Sequence, residues 1–376
     1  MKIAFTGGGT LGHIYPALSI YDYVKSQTDI YDYIWIGRVD NREKSVVEEN
    51  GIKFYSIQCG KLRRYFSIQN CIDFFKVFLG YIQAKRILKK EKPDLLFSKG
   101  GYVSVPVVYA AKKLNIKIIT HESDISLGLA TKLNSKVADL VFKGFLLNEE
   151  EKKNKKYLYS GNPLRKDLLY FKELDLNSYE TEIENGENLE YKEYVKPVIN
   201  QMNLKFDKSK KTILVVGGSL GALEINNLID QNLDSLLKKY NIYHQMGEKT
   251  FREKELKGYI CIKYIDKELG YLYRKADLII TRCGANTLNE EIAFEKNILG
   301  IPLKNSSSRG EQVLNAEFYK DLNLLEVYTN SMNFIDTIEN LFDNEVIERR
   351  LVAFNHLKSV NANEIIYRKI NELLGN

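Results

Sequence analysis

The stretch KIAFTGGGTLGHIYPAL, residues 2–18, decides the fold, because a short apolar strand runs into a cluster of glycines and then into a helix. Gly7, Gly9 and Gly12 have the G-x-G-x-x-G spacing of a nucleotide-binding turn. Glycines at such a turn let a phosphate approach the backbone, where the unpaired N–H groups of the helix start bind it. The stretch therefore predicts a strand, an anion-binding turn and a helix at the start of a Rossmann-like domain.

The same plan returns in the second half of the chain. TILVVGGSLGALEINN, residues 212–227, again joins an apolar strand to a helix through a glycine-rich turn at 217–221. A chain of 376 residues is long for one core and typical of two domains. Two similar halves with similar turns predict an α/β protein made of two Rossmann-like domains that face each other across a cleft.

Short runs of Val, Ile and Leu alternate with longer segments of helical periodicity in both halves. This alternation is typical of parallel βαβ units and a doubly wound sheet. The predicted strands are residues 2–6, 33–37, 94–98, 117–121, 140–144, 212–217, 264–267, 277–281 and 298–302, and the clearest helices are residues 17–26 and 228–240.

The composition is that of an ordinary globular protein, with 44% hydrophobic and 28% charged residues. A net charge of +6 is mild; it suits anionic substrates or an anionic membrane surface, and we expect no nucleic-acid partner. The four cysteines show no C-x-x-C pairing, so we expect free thiols in a reducing cytosol. No apolar run reaches the ~18 residues that a membrane span requires.

One segment interrupts the alternation. Residues 177–197, NSYETEIENGENLEYKEYVKP, carry six glutamates and almost no apolar periodicity. A calcium site would need an Asp-rich loop around a central glycine, which this segment lacks. The sequence therefore favours a solvated linker insertion between the two domains.

The first glycine turn by itself is also compatible with a nicotinamide-dependent enzyme. Their second strand ends in an acid that binds the ribose, and YIWIGRVD, residues 33–40, offers Arg38 or Asp40 at that place. His13 and Pro16 in the first helical turn and the second glycine turn weaken an NAD(P)-dependent oxidoreductase without excluding it.

Seven motifs stand in the order found in one family. The N-terminal loop TGGGTLGHIYPAL resembles that of the MurG family, which transfers N-acetylglucosamine to the lipid-linked muramyl-pentapeptide precursor of peptidoglycan. The other matching motifs are GGYVSVP (100–106), HESDISLGLATK (121–132), GNPLR (161–165), GGSLGA (217–222), RCGANTLNE (282–290) and SRGEQVLNA (308–316). The resemblance implies the GT-B type of glycosyltransferase architecture over most of the chain.

The resemblance also implies how the chain is divided. Residues 1–165 would form an acceptor-binding and membrane-associating domain, and residues 166–210 the linker with the acidic insertion. Residues 211–345 would bind the UDP-sugar, and residues 346–376 would form a helical segment that packs back towards the N-terminal domain.

The reaction that the resemblance implies is an inverting transfer from UDP-N-acetylglucosamine to the muramyl 4-hydroxyl of lipid I, which gives lipid II. It would take place on the cytoplasmic face of the bacterial cell membrane, where the protein is peripheral. The chain has no Asp-x-Asp pair, so we expect neither a metal nor a cofactor. A related two-domain glycosyltransferase with another lipid acceptor and a non-catalytic sugar- or nucleotide-binding descendant of the fold stay as alternatives.

His13 is the first candidate for chemistry. Attack by an acceptor hydroxyl needs a base, and a histidine that titrates near neutrality suits this role. His13 also suits a loop-ordering role in which it bonds a pyrophosphate. Asp124 is the competing base, an orienting partner or a cap of its turn, and His121 at a strand end is expected to be structural.

The donor site is expected mainly in the C-terminal half. Ser219 would either bind a diphosphate oxygen or simply cap its helix. Arg165 would either be a cation near the diphosphate or an ordinary surface arginine. Ile265 would either flank the uracil or pack in the core. By resemblance Glu290 binds the ribose hydroxyls, since only one of Glu290 and Glu291 can face the site. The remaining donor contacts that the resemblance implies are Thr10, Gly12, Ala285, Asn286, Thr287, Glu311 and Gln312.

The segment 61–90 is expected to contact the membrane surface. Phe74, Phe75 and Phe78 recur at helical spacing among basic residues that include Arg63 and Arg64. A basic rim around an apolar face is typical of interfacial helices, although an amphipathic helix packed on the sheet has the same pattern. The resemblance favours the membrane and adds Tyr102 as an acceptor contact.

Overall fold

The computed structural model describes residues 1–9, 11–60, 68–218, 221–303, 310–357 and 360–375, without the side chains of residues 11 and 68–72. The chain forms two compact units. The first unit comprises Met1–Lys166 and Val360–Asn376, and the second unit comprises Asp167–Ser359.

Every strand pairs in parallel with its neighbours within its own unit. The strands are β1 (Lys2–Thr6), β2 (Asp32–Arg38), β3 (Lys53–Ile57), β4 (Leu95–Ser98), β5 (Lys117–Glu122), β6 (Leu140–Lys143), β7 (Tyr157–Tyr159), β8 (Lys211–Val216), β9 (Tyr240–Gln245), β10 (Tyr259–Ile262), β11 (Leu278–Thr281), β12 (Ile298–Gly300) and β13 (Glu326–Val327).

Helices connect these strands. They are α1 (Leu11–Gln27), α2 (Asn41–Glu49), α3 (Ile68–Glu91), α4 (Ser104–Lys113), α5 (Leu129–Ser135), α6 (Glu149–Lys153), α7 (Lys166–Glu173), α8 (Leu176–Glu184), α9 (Lys192–Lys205), α10 (Leu223–Lys239), α11 (Leu269–Lys275), α12 (Ala285–Ala293), α13 (Glu311–Asp321), α14 (Phe334–Asn340), α15 (Asn344–Leu357) and α16 (Ala362–Leu374).

The two sheets have the same topology. The first sheet has the order β3-β2-β1-β4-β5-β6-β7, and the second has the order β10-β9-β8-β11-β12-β13. The chain reverses its direction of winding beside β1 in the first sheet and beside β8 in the second. Ligands of doubly wound sheets bind at such a reversal, outside the carboxyl ends of the strands. Both glycine turns predicted from the sequence lie at these two places.

The apolar runs of the sequence become strands covered on both faces. Ile3 and Phe5 of β1 point into one cluster of the first unit, which includes the ring stack of Phe5 on Trp35, while Ala4 points into the cluster on the opposite face. A strand buried on both faces has no polar side to solvate, so its sequence reads as continuous rather than alternating hydrophobicity.

Two sequence interpretations of the second unit are wrong. Residues 264–267 form no strand; the strand of that region is β10, five residues earlier. Residues 177–197 are no solvated linker, because Tyr179, Ile183 and Val195 of α8 and α9 lie in the core of the second unit. Four of the six glutamates lie on these two helices, where they interrupt the apolar periodicity of the sequence.

The predicted C-terminal segment 346–376 is divided between the two units. In α15, Arg350 donates to the carbonyl of Ile298 at 3.4 Å, within the second unit. In α16, the Asn363 side-chain NH2 donates to the carbonyls of Ser19 and Leu164, within the first unit. Only the last helix therefore packs on the N-terminal sheet.

Candidate active site

The glycine turn after β1 lies against the segment that follows β4. Gly101 has a φ of +76°, and a Cβ there would lie 2.2 Å from the carbonyl oxygen of Gly8 and 3.1 Å from Cδ2 of His13. An L side chain is strained at this φ and would collide with the first turn. Glycine at 101 thus lets two backbone segments meet beside the His13 imidazole.

His13 is neutral at physiological pH. Burial, followed by the nearby ammonium of Lys99, lowers the pKa of the imidazole to about 4. The carboxylate of Glu122 and a hydrogen bond from the imidazole to the Lys99 carbonyl act in the opposite direction and are outweighed. A neutral imidazole has a lone pair to accept a proton, which is what a base requires.

Glu43 is a site residue that the sequence analysis missed. Its carboxylate accepts the N–H of Gly9 at 2.8 Å and the Nε–H of Arg38 at 3.1 Å. Arg38 also donates to the hydroxyl of Tyr102 at 3.1 Å. One amide of the first glycine turn is therefore bonded to an internal carboxylate, and Tyr102 is tied into the same network.

Asp40, the acid that an oxidoreductase would use to bind the ribose, has other partners in this structure. The Asp40 carboxylate caps α2 by accepting the N–H groups of Arg42 and Glu43, at 3.0 and 3.1 Å, and it pairs with Arg38. Both residues proposed for that task are thus engaged with their own helix and turn.

Lys99, the last residue before the glycine pair 100–101, lies beside the first glycine turn and was not predicted as a site residue. It is only 2% exposed, and its ammonium donates to the hydroxyl of Ser123 at 2.5 Å. Burial lowers the pKa of Lys99 to about 8, against the opposing effects of the carboxylates of Glu122 and Asp124. Lysine is usually a surface residue, so no sequence pattern signals this position.

The segment after β5 carries Asp124 and is fixed by hydrogen bonds from its backbone N–H groups to the side chain of Glu122. The Glu122 carboxylate accepts the N–H groups of Asp124 at 3.3 Å and Gly128 at 3.0 Å. His121 is completely buried and donates from Nε2 to the carbonyl of Gly161 at 3.0 Å. Burial holds the pKa of His121 well below its ordinary value, which agrees with the structural role expected for it.

The second unit repeats the arrangement at its own topological reversal. Gly218 follows β8 with a φ of +76°, and a Cβ there would lie 2.6 Å from Nη2 of Arg282, which follows β11. A guanidinium thus lies directly on the second glycine turn. Arg282 is inside the motif RCGANTLNE but was not singled out; an arginine that follows a strand next to a glycine turn is the signal that could have found it.

Helix α12 begins beside this turn, with Gly284 as its N-cap. Ala285, Asn286 and Thr287 form its first turn, where the backbone N–H groups point towards the N-terminal end of the helix. These amides can bind an anion, and Arg282 adds a positive charge near them.

Burial distinguishes the two adjacent acids of α12. Glu291 is completely buried, and burial raises the pKa of its carboxyl well above the ordinary value. Glu290 is partly exposed and accepts a long hydrogen bond of 3.5 Å from the hydroxyl of Tyr273. Only Glu290 is therefore available as a charged carboxylate for a ligand.

The other predicted donor residues differ in their surroundings. Gln312 and Glu311 are partly exposed in the first turn of α13, and the Gln312 carbonyl accepts the N–H of Leu303 at 3.1 Å. Ile265 is 2% exposed in the core of the second unit, so its burial favours the core-packing alternative over contact with a uracil. Arg165 is partly exposed at the end of the first unit.

Some predicted residues lie outside the part of the chain that the structure describes, namely Thr10, Arg63, Arg64 and Ser219. Gly12 is described and lies exposed in the first turn of α1.

Helix α3 presents the apolar face predicted for it. Phe74, Phe75, Phe78 and Leu79 are all at least half exposed. A groove of about 800 Å³ between α3 and α4 is continuous with this face and is lined by Phe74 and Phe78 together with other residues of both helices. Within the described residues, no helix has the length and hydropathy to cross a bilayer.

Comparison with known proteins agrees with this division into two halves. The N-terminal domain of glycosyltransferase family 28 matches residues 3–143, and the C-terminal domain of that family matches residues 212–351. Crystal structures with the same fold include Acinetobacter baumannii MurG, with a TM-score of 0.71 and 22% identity over 99% of both chains. A Neisseria meningitidis UDP-GlcNAc 2-epimerase has a TM-score of 0.64 and 16% identity over 100% of both chains. The two parallel-sheet α/β domains thus define a GT-B glycosyltransferase.

Relatives that match this chain over nearly their full length show which family of glycosyltransferases it belongs to. The UDP-N-acetylglucosamine–N-acetylmuramyl-(pentapeptide) pyrophosphoryl-undecaprenol N-acetylglucosamine transferase of Clostridium botulinum Kyoto is 37% identical over 99% of this chain and 98% of its own. The Clostridium tetani enzyme of the same name is 38% identical over 91% and 90%, respectively. The chain belongs to this family of N-acetylglucosaminyltransferases, the MurG family, which confirms the resemblance predicted from the ordered motifs.

Proposed function

We propose that this enzyme transfers N-acetylglucosamine from UDP-N-acetylglucosamine to the 4-hydroxyl of the muramyl sugar of lipid I. The product is the β-linked disaccharide of lipid II, the precursor of peptidoglycan. The observation that carries the proposal is the 37% identity to transferases of this name along practically the whole of both chains.

The first unit is the proposed acceptor half-site. The neutral imidazole of His13 takes the proton of the muramyl 4-hydroxyl while the hydroxyl oxygen bonds to the anomeric carbon of the donor. The bond from that carbon to the β-phosphate oxygen of UDP breaks in the same step, so the α-linked donor gives a β-linked product. Asp124, two residues beyond β5, is the proposed orienting carboxylate.

The second unit is the proposed donor half-site. The diphosphate is bound by the glycine turn after β8 and the first amides of α12, with Arg282 as a cation beside that turn. These groups stabilise the negative charge that grows on UDP as it leaves. The Glu290 carboxylate accepts hydrogen bonds from both ribose hydroxyls. The side-chain NH2 of Gln312 donates to a sugar hydroxyl, because the side-chain carbonyl of Gln312 already accepts the N–H of Leu303.

The exposed face of α3 supports a peripheral position on the cytoplasmic side of the cell membrane. Four large apolar side chains open to solvent on one helix form a patch of the kind that marks an interaction surface. Lys76, Lys85, Lys89 and Lys90 on the same helix suit anionic lipid headgroups. The lipid tail of the acceptor would stay in the bilayer while its sugar reaches the first unit.

Incubation with radiolabelled UDP-N-acetylglucosamine and a purified lipid-linked muramyl-pentapeptide tests the activity. The proposal predicts a labelled lipid-linked disaccharide, with one UDP released for each sugar transferred. UDP-glucose is the matched donor control and should give far less product. Hydrolysis of the donor without transfer, or transfer only to another lipid, would contradict the proposed acceptor.

A further inference from the structure

Lys99 is a buried cation for which the reaction as described above has no role. It directly follows β4 and precedes the glycine pair that packs on the first turn. Its main chain continues the ladder, since its N–H donates to the carbonyl of Thr6 at 2.9 Å. A lysine with only 2% of its surface exposed must be compensated by polar partners, because an isolated buried charge is very costly.

Two parts of this residue contact two different parts of the acceptor half-site. Its backbone carbonyl accepts a hydrogen bond from the His13 imidazole. Its ammonium donates to the Ser123 hydroxyl at 2.5 Å, on the segment that carries Asp124. The proposed base and the proposed orienting carboxylate are thus connected through one residue.

We propose that Lys99 is a positioning residue of the acceptor half-site: its ammonium bonds Ser123 on the segment that carries Asp124, it precedes the glycine pair that packs on His13, and its charge offsets the carboxylates of Glu122 and Asp124. The kinetic part of this inference rests on the proposed transfer activity, whereas the charge state of His13 can be measured without any turnover.

The surrounding charges determine the sign of the effect. Lys99 at the end of β4 and Glu122 at the end of β5 are the charged groups that act on His13, and Glu122 and Asp124 act on Lys99. Removal of the ammonium leaves the Glu122 carboxylate unopposed. A carboxylate favours a charged imidazole, so the pKa of His13 should rise, by about one unit or more for a charge at close range.

NMR titration of the imidazole signals tests this directly, since the chain has only four histidines. At pH 5 the wild-type imidazole should be about nine-tenths neutral, whereas in Lys99→Met about half of it or more should be protonated. Lys143→Met is the matched control. Lys143 is another buried lysine, on β6, and it donates to the Ile125 carbonyl at 2.8 Å, but its charge acts on His121 rather than on His13.

An unchanged His13 titration in a folded Lys99→Met protein would overturn the proposal, and so would an equal change in Lys143→Met. If the Met variant does not fold, Lys99→Gln carries the same test, because its amide keeps a donor for the Ser123 hydroxyl. Wild-type UDP-N-acetylglucosamine turnover is not needed for either result, so failure of this proposal and failure of the proposed function are distinguishable.

Kinetics give a second readout. In Lys99→Met the acid limb of the kcat profile should move to higher pH, with KM for the donor nearly unchanged. A merely structural role would lower kcat by the same factor at every pH, and that uniform loss would contradict the proposal.

Discussion

The protonation state of His13 decides what this residue can do at neutral pH. With its pKa lowered to about 4, the imidazole is almost entirely unprotonated at pH 7. It is therefore in the correct form to accept a proton, although it is a weaker base than an exposed histidine. A neighbouring carboxylate and a backbone carbonyl would stabilise the imidazolium once the proton has arrived.

Replacement of His13 by Ala is the first test at this scale. We expect kcat to fall by roughly 10²–10⁴, the usual contribution of a positioned base, with little change in KM for UDP-N-acetylglucosamine. Steady-state kinetics with saturating acceptor measure both values. A kcat within a factor of about two of wild type would exclude His13 from proton transfer.

The adjacent acids of α12 allow a comparison between matched variants. Glu290→Gln should raise the donor KM or Kd by roughly ten-fold or more, because a charge-assisted hydrogen bond contributes ~1.5–3 kcal/mol. Glu291→Gln should change donor affinity by less than about two-fold. Burial raises the pKa of the Glu291 carboxyl and so favours its neutral form, and the amide has nearly the same shape.

Calorimetry of UDP binding measures both affinities. Equal losses in Glu290→Gln and Glu291→Gln would show that the effect is structural. A larger loss in Glu291→Gln would contradict the assignment of Glu290 as the ribose-binding acid.

At the scale of elements, α3 exposes an apolar face that its packing does not require. Phe75 is 68% exposed and Phe78 is 57% exposed, so neither contributes much to the core of the first unit. The double variant Phe75→Ser/Phe78→Ser should bind anionic phospholipid vesicles several-fold more weakly and still bind UDP-N-acetylglucosamine normally. Sedimentation with vesicles and calorimetry measure these two properties.

A second helix offers the control for this experiment. Leu351 and Val352 of α15, in the second unit, are 51% and 54% exposed. The double variant Leu351→Ser/Val352→Ser removes a similar apolar area and should leave vesicle binding unchanged. Equal weakening by both double variants would mean that exposed apolar area in general, and not the α3 face, causes adsorption.

The predictability of the elements depended on where their polar residues lie. Strands such as β1, β8 and β11 were predicted because their apolar runs are continuous. Strand β9, YNIYHQ, was missed, since it buries three polar side chains whose partners are distant in sequence. In one example His244 bonds the hydroxyl of Tyr259 and the side-chain oxygen of Asn226.

The same reason limits prediction of the site. His13, Glu290 and the glycine turns belong to recognisable motifs, so their neighbourhoods could be inferred from the order of those motifs. Glu43 and Lys99 could not, because charged residues are ordinarily exposed and their burial here depends on the packing of strands that are far apart in sequence. Ile265 was ambiguous because an apolar residue suits a core and a base-binding surface equally.

At the scale of the whole molecule, buried histidines make stability depend on pH. His13 and His121 of the first unit both have a folded-state pKa below the unfolded value of about 6.5. The unfolded chain therefore binds more protons than the folded one below pH 6.5, and stability falls as the pH decreases from about 6.5 towards 4.

Urea unfolding followed by tryptophan fluorescence measures this in the first unit alone, because Trp35, the single tryptophan, is buried in its core. We expect the free energy of unfolding at pH 5 to be lower than at pH 7 by on the order of 4 kcal/mol, since each imidazole contributes about 2 kcal/mol. The difference should shrink in His121→Asn, whose side chain does not titrate. Equal stability at both pH values would contradict neutral burial of these imidazoles.

We propose that two glycine-turn half-sites, one in each unit, carry out the sugar transfer without a metal. The most direct measurement is a single turnover of labelled UDP-N-acetylglucosamine with lipid-linked muramyl-pentapeptide in excess EDTA, followed by NMR of the isolated product. We expect a disaccharide β-linked at the muramyl 4-hydroxyl, formed at the same rate as without chelator. An α-linked product, or transfer that stops in EDTA and returns with added Mg²⁺, would contradict it.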